Sequence, residues 1–190
     1  MNKMSNHNRE IALMSISKTC SLKEYDSCEE SGCSIRLDNI SPRKIFRPEE
    51  ISDGNERADY SVFFSEPQDS ESHGRGVPLT SGDDNEAVDY VAAIELKSTV
   101  DKRSKIKSQI KGAVNFIIDV LKKISDPEWG IKCLCLVAYK YSNIPLRKSP
   151  ISFQKNLDGK MKRFSILPIK NNGKLVDVFE NYGKEAATPI

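Results

Sequence analysis

The hydrophobic positions of the chain fall into a few patterns that predict strands and one long helix. Residues 58–64 and 91–97 read as two strands, and in the second the side chains alternate between its faces. Apolar residues recur every three or four positions over 101–125, which predicts an amphipathic helix. The unbroken apolar run at 131–141 predicts a strand buried on both faces. A long helix between two strands implies a right-handed crossover, so we predict an α/β fold with a mixed central β-sheet flanked by helices.

Shorter elements are predicted at the periphery of this sheet. Residues 33–37 form a strand-like run, and residues 44–47 add a short extended piece. The run at 163–169 predicts a later strand. Pro168 places that strand at a sheet edge, because proline lacks the N–H that a central strand donates. Residues 143–158 are expected to be a connection.

The distribution of polar residues, glycine and proline along the chain predicts a single domain with irregular ends. Residues 1–30 are expected to form an N-terminal segment that is partly flexible, and residues 31–180 to form the domain. Residues 181–190 are expected to be a C-terminal tail that frays. Glycine, proline and acidic residues fill 66–86, which predicts a long loop. That loop is either an insertion between two strands or a flap over a site.

Composition narrows the class of protein without identifying it. The chain has 190 residues, of which 38% are hydrophobic and 29% charged, as expected of a polar globular protein. No apolar run approaches the ~20 residues that a membrane helix needs, and the N-terminus lacks the apolar core of a signal peptide. We therefore expect a cytoplasmic protein that does not enter a membrane. Its five cysteines lack the paired spacing of a zinc site and are expected to be reduced thiols.

The net charge of +2 hides an uneven distribution along the chain. Residues 49–89 hold 2 basic and 12 acidic side chains, a balance of −10, and residues 130–190 hold 11 basic and 4 acidic, a balance of +7. A basic C-terminal third is suited to following a phosphate backbone. The alternative, that these cations are solvated surface, is the better interpretation of a charge distribution taken alone.

The strand at 91–97 carries charged residues that stand out. Glu95 and Lys97 lie two residues apart, on one face of an otherwise apolar strand. Buried charges are costly unless they pair, bind a metal or line a cleft, so this placement favours a functional site. Asp59 lies near the start of the strand at 58–64, and its carboxylate approaches Glu95 if the two strands pair. Two carboxylates and a lysine at the edge of a sheet would make a binding site for a hard cation.

These residues, in this order, resemble the PD-(D/E)xK superfamily of restriction-endonuclease-like nucleases. The resemblance spans about residues 30–141 and implies a restriction-endonuclease-like core. It assigns the family's two carboxylates to Asp59 and Glu95 and its lysine to Lys97. Several branches carry a glutamine on the following helix, which corresponds to Gln109. One departure is that alanine, rather than proline, precedes Asp59.

The resemblance implies a phosphodiesterase that depends on Mg²⁺ or Mn²⁺. Asp59 and Glu95 would hold the cation, with the Leu96 carbonyl as a possible backbone ligand, because Mg²⁺ prefers oxygen donors. Such a cation lowers the pKa of bound water and acts as a Lewis acid. Lys97 would orient the water or stabilise developing negative charge. Gln109 would bind phosphate or a metal-bound water, although an exposed polar residue at the margin of the helix stripe is an equally good interpretation.

Several further residues have two interpretations. Some members of the superfamily add an N-terminal acidic ligand, which here would be Glu24, Glu29 or Glu30, and the sequence does not choose among them. Asp89 is either an extra ligand or part of a solvated acidic stretch. Four lysines of the long helix either contact phosphate or form its wet face: Lys102, Lys105, Lys107 and Lys111.

The residues and the resemblance together predict a metal-dependent nuclease, with DNA as the favoured substrate. The resemblance further implies bacterial restriction or anti-phage defence as its role, and a homodimer or a partner protein such as an ATPase as its working form. The alternative is a non-catalytic interaction subunit of a defence or repair complex that uses the same fold. The two hypotheses differ in their need for metal, since an interaction subunit tolerates the loss of Glu95 if it still folds.

Overall fold

A computed structural model of the chain describes residues 25–40, 43–50, 54–65, 89–124, 130–146 and 150–190. Its strands are β1 (Cys28–Glu30), β2 (Cys33–Arg36), β3 (Arg43–Phe46), β4 (Tyr60–Ser65), β5 (Asp89–Val100), β6 (Ile131–Ser142), β7 (Ile151–Leu157), β8 (Lys160–Lys170), β9 (Gly173–Lys174) and β10 (Thr188–Pro189). One long helix, α1 (Arg103–Ile124), joins β5 to β6. Short helical turns lie at Pro48–Glu50, Leu175–Val178, Phe179–Gly183 and Lys184–Ala186.

The main sheet is mixed and has the strand order β3-β4-β5-β6-β8-β7. β3, β4 and β5 form an antiparallel meander, and β7 pairs antiparallel with β8. β5, β6 and β8 are parallel to one another, with α1 as the crossover between the first two. The predicted α/β class and the predicted parallel pair are therefore confirmed. The carboxyl ends of β5, β6 and β8 meet at one end of the sheet, which is where open α/β sheets bind ligands.

The two faces of the main sheet are covered differently. On one face, α1 packs its apolar stripe against alternate residues of β5 and β6, such as Ala93 and Cys135. On the other face lies a small sheet of β1, β2 and β9, followed by the helical turns after residue 175, against Ile94 and Leu136. The predicted flanking by helices thus holds in full for one face only. Within the described ranges, the second face is covered chiefly by strands and single turns.

Two predictions for the periphery of the main sheet are wrong in informative ways. The expected connection at 143–158 contains β7, which a tight turn at Asp158 and Gly159 joins to β8, both residues having positive φ. The strand expected at a sheet edge, β8, is an interior strand between β6 and β7. Its pairing with β7 ends at Ile166, two residues before Pro168. Proline is tolerated there because that part of β8 has a strand neighbour on one side only.

The C-terminal tail, residues 181–190, does not fray as expected. Its end is β10, in which Thr188 pairs antiparallel with Cys133 of β6, and the N–H of Ile190 donates to the carbonyl of Ile131. The Thr188 hydroxyl also donates to the carbonyl of Arg163. This short stretch is held by main-chain pairing. Such pairing does not depend on a pattern of hydrophobic positions, so the sequence pattern did not predict it.

Two predicted regions lie outside the described residues. They are the first 24 residues of the N-terminal segment and the long loop at 66–86. The described end of the N-terminal segment, from Cys28 to Glu30, is β1. Among the described helices, none is long and apolar enough to cross a membrane.

Candidate functional site

Asp59 lies where β4 begins, and it is joined directly to β5. The first paired residues of the two strands are Tyr60 and Ile94, so Asp59 comes just before the ladder starts. Its Oδ2 accepts a hydrogen bond of 2.5 Å from the main-chain N–H of Leu96. In an extended strand the N–H and C=O of one residue point the same way, so the Leu96 carbonyl also faces the Asp59 side. The antiparallel pairing therefore brings together Asp59 and the β5 segment as predicted.

Glu95 and Lys97 form an ion pair on the α1 face of β5. Glu95 is completely buried, with 0% of its surface exposed, and the side chain of Lys97 is 24% exposed. The Lys97 ammonium contacts Glu95 Oε1. Besides this ion pair, the main-chain N–H of Asp59 interacts with the Glu95 carboxylate and acts to lower its pKa, which still leaves oxygen lone pairs without a donor among the described residues. A buried carboxylate with unused oxygen lone pairs is suited to a further positive ligand.

Burial sets the protonation behaviour of this group of residues. Burial, followed by the charge of Glu95, raises the pKa of Asp59 to about 8, although the Leu96 N–H counteracts it. Burial likewise raises the pKa of Glu95 to about 7, against the opposing effect of Lys97. Burial lowers the pKa of Lys97, but the hydrogen bond and charge of Glu95 outweigh it, so its pKa is raised. Burial thus raises the pKa of both carboxyl groups, so a cation bound there would compete with protons for them.

A second group of acidic side chains meets at Asp59. One carboxylate oxygen from each of Glu30, Glu49 and Asp59 lies within 4.8 Å of the other two. The sequence had left the N-terminal acidic residue open among three glutamates, and in the structure Glu30 lies at the site. Glu29 is exposed, and Glu24 lies outside the described residues. Glu49 was missed; it sits on the turn after β3, which the β3–β4 pairing brings back beside Asp59.

Arg47 holds this second acidic group together. Its guanidinium donates to both Glu30 and Glu49, and it lies over the rings of Tyr60, 5.3 Å from the centroid, and Tyr25, 5.8 Å from the centroid. The whole site then holds four carboxylates, those of residues 30, 49, 59 and 95, against two cations, those of residues 47 and 97. An excess of negative charge on oxygen donors fits a hard divalent cation.

Gln109 lies on the helix face that packs against the chain leading to Asp59. One turn further along α1, a Cβ on Gly112 would come within 1.8 Å of the Glu56 carbonyl oxygen, so helix and chain touch here through main-chain atoms. Arg57 covers the ring of Phe116, with its guanidinium carbon 5.5 Å from the centroid. Gln109 Oε1 is buried and has no hydrogen-bond partner among the described residues. The predicted position at the stripe margin is confirmed, and its predicted role stays a prediction.

The remaining sequence candidates are Asp89, four lysines near the start of α1 and the cysteines. Asp89 begins β5 and pairs through its main chain with Ser65 and Ile131, at the end of the strand opposite Glu95 and Lys97. The four lysines at 102, 105, 107 and 111 are exposed, as expected of a wet helix face. The described cysteines are free thiols, and all of them are buried as small apolar side chains.

In comparisons with protein-family models, with curated proteins and with solved structures, the chain matches none of them. The geometry of the site and the chemistry of its residues are therefore the basis for assigning a function.

Proposed function

We propose that this protein is a metal-dependent nuclease that hydrolyses phosphodiester bonds, with DNA as its favoured substrate. The main support is the buried pair of carboxylates, Asp59 and Glu95, placed beside Lys97 near the carboxyl end of a parallel strand. Keeping two carboxylates and an ammonium out of water costs several kcal/mol per ion unless they are compensated. A cation and a phosphate would together compensate all three. The sequence resemblance to PD-(D/E)xK nucleases points to the same residues.

Mg²⁺ or Mn²⁺ would be held by Asp59, Glu95 and the Leu96 carbonyl, with Glu30 and Glu49 adding acidic oxygens on the other side of Asp59. When bound, such a cation supplies Lewis acidity and a water of lowered pKa. The chain itself contributes a rigid frame. The Leu96 N–H fixes Asp59 Oδ2, and Lys97 fixes Glu95.

Lys97 is the residue best placed to meet a phosphate. Its ammonium is half-buried beside Glu95 and retains donors beyond the one it uses in the ion pair. It would stabilise the charge that develops on phosphate oxygens, as preorganised donors do in a site with little water. Gln109 would offer its buried, unpartnered Oε1 as an acceptor to a water from the α1 side.

The test is cleavage of plasmid and single-stranded DNA with Mg²⁺ or Mn²⁺. Glu95→Gln and Lys97→Met keep side-chain size while removing charge. We expect each to lower the cleavage rate at least 100-fold, the scale of a lost electrostatic contact to the transition state. The matched controls are Glu180→Gln and Lys123→Met, both at exposed positions away from the site. Wild-type rates in Glu95→Gln would contradict the proposal.

A second candidate is a non-catalytic interaction subunit of a defence or repair complex. The observation that favours it is the set of ion pairs already present, since Arg47 pairs with Glu30 and Glu49, and Lys97 pairs with Glu95. A folded protein that cuts no substrate with any metal, and that still binds its partner as Glu95→Gln, would select this candidate. A cytoplasmic location and a working form as a homodimer or beside an ATPase belong to both proposals.

A further inference from the structure

The register of the parallel strands places a row of charged and aromatic residues next to the acidic site. Lys97 of β5 is opposite Tyr139 of β6, and Tyr139 is opposite Lys170 of β8. Cross-strand partners point to the same face of a sheet. This row therefore lies on the α1 face, two residues further toward the carboxyl ends of the strands than Glu95.

The next row continues in the same direction. Tyr141 of β6 is opposite Thr99 of β5, and it shares a face with Tyr139 because the two are separated by one residue. Rows of the same face are about 7 Å apart along a strand. Moving outward from Glu95, the face thus presents an acidic position, then two lysines around a tyrosine, then a second tyrosine.

The outer members of these rows are open to solvent. Tyr141 is 69% exposed, which for a large ring on a regular strand leaves a face free for contact. Lys170 is exposed, and its ammonium lies 4.5 Å from the centroid of the buried Tyr139 ring, which holds the charge in place. Lys102, which follows β5, is exposed as well. Phosphate and an unpaired base are the chemical groups that complement this combination.

We propose that Lys97, Lys170 and Tyr141, arranged around the buried Tyr139 and together with it called the basic–aromatic strip, form a binding surface for a single-stranded nucleic acid. Lys170 holds a phosphate, and a base stacks on Tyr141. The proposal rests on the proposed function, and it specifies the substrate as a strand with unpaired bases that runs from the strip toward Glu95. A duplex presents its backbone to such a surface and keeps its base faces stacked inside, so it gains nothing from Tyr141.

The experiment measures binding without cleavage, by fluorescence anisotropy of a labelled oligothymidylate and of a labelled hairpin duplex in EDTA. Tyr141→Ala should weaken binding of the single strand about 10-fold, in line with the loss of one stacked base, and leave binding of the duplex unchanged. Tyr141→Trp should restore the single-strand affinity. Tyr182→Ala is the matched control, since Tyr182 is 62% exposed and lies on the turns covering the other face. The Tyr182→Ala variant should bind the single strand with the affinity of the wild type.

Three results would overturn the strip: unchanged single-strand binding by Tyr141→Ala, an equal loss in Tyr182→Ala, or an equal loss of duplex binding. Lys170→Gln should weaken both probes and lower the salt dependence of binding by about one counterion. The proposal of the strip and the proposal of the nuclease can be contradicted independently of each other. Wild-type protein that binds the single strand through Tyr141 but cuts nothing with Mn²⁺ supports the strip and contradicts the nuclease. Protein that cuts DNA but binds the single strand equally well with and without the Tyr141 ring supports the nuclease and contradicts the strip.

Discussion

The carboxylate of Asp59, the residue just before β4, accepts a hydrogen bond from the main-chain N–H of Leu96 in β5. A main-chain carbonyl would fill that place if β4 extended further upstream. The ladder between β4 and β5 therefore ends in a charged side chain rather than in another pair of residues. Asp59 is thus tied to the segment that carries Glu95, and two acidic residues distant in sequence are held in one arrangement.

Asp59→Asn should separate the structural role of this side chain from its chemical role. The amide keeps an oxygen for the Leu96 N–H and removes a buried charge, so we expect the free energy of unfolding to be unchanged or higher. Asp59→Ala leaves that N–H without its acceptor and should cost about 1–3 kcal/mol. Cleavage should be lost in both variants. Urea denaturation checks the first expectation, and equal stability of the two variants would contradict the assigned hydrogen bond.

The ion pair of Lys97 with Glu95 should show strong coupling in a double-mutant cycle. Lys97→Met leaves Glu95 buried without its partner and should destabilise the protein by about 3 kcal/mol at pH 8. Adding Glu95→Gln to that variant should recover most of the loss, because no buried charge then remains. Neither variant should cleave DNA. Additive effects in the cycle, measured by urea denaturation, would mean that the two side chains do not interact.

The metal-free protein should lose stability as pH rises. The native pKa values of Asp59, about 8, and Glu95, about 7, lie above the unfolded values of 3.8 and 4.5. Between these limits the native state binds more protons than the unfolded chain, so the free energy of unfolding falls with rising pH. Each extra proton held contributes a slope of up to about 1.4 kcal/mol per pH unit.

Thermal melts in EDTA between about pH 5 and about pH 8 check this slope, with the double variant Asp59→Asn, Glu95→Gln as the control that removes it. Mn²⁺ competes with protons for the same carboxylates. It should therefore raise the melting temperature more at the upper end of this range than at the lower end. A melting temperature that rises with pH relative to the control would contradict the assigned direction.

Glu49 and its neighbour Glu50 offer a matched pair for testing the acidic group around Asp59. Glu49 contributes an oxygen to that group, whereas Glu50 Oε1 accepts from the Tyr25 hydroxyl and lies 3.9 Å from Arg47 Nε without joining the three grouped oxygens. Glu49→Gln should weaken Mn²⁺ binding about 10-fold, as expected for the loss of a ligating or neighbouring carboxylate. Glu50→Gln should not change it. Isothermal titration checks both, and equal affinities in the two variants would exclude Glu49 from the cation site.

Gly112 should be intolerant of alanine although it lies inside a helix, where alanine usually adds about 1 kcal/mol of stability. A Cβ there would meet the Glu56 carbonyl oxygen at 1.8 Å, and main-chain atoms yield less readily than a side chain. We expect Gly112→Ala to cost about 1–3 kcal/mol and to lower cleavage by displacing the chain that leads to Asp59. Gly130→Ala is the control, because a Cβ at Gly130 meets nothing within 4 Å. Similar stabilities would contradict the close contact.

The main elements could be predicted because their patterns are long. The α1 stripe and the two-sided burial of β6 each extend over many residues, and they fix a parallel crossover. The pairing of Asp59 with the segment around Glu95 followed from one assumption, that the two strands are neighbours. Glu49 could not be found in this way, because its place beside Asp59 depends on the return of the chain through the β3–β4 pairing. β10 was missed because it is short and polar.

The small sheet on the second face links distant parts of the chain, since Ile35 of β2 pairs in parallel with Gly173 of β9. Glu30 belongs to the hairpin that this pairing holds, so its placement beside Asp59 depends on residues 173–174. Contacts between residues so far apart form late and slowly in folding. During synthesis, a chain emerging from the ribosome would build β3, β4 and β5 first and complete its acidic site last. The nuclease proposed above would then lack its complete acidic site until residues 173–174 had been synthesised.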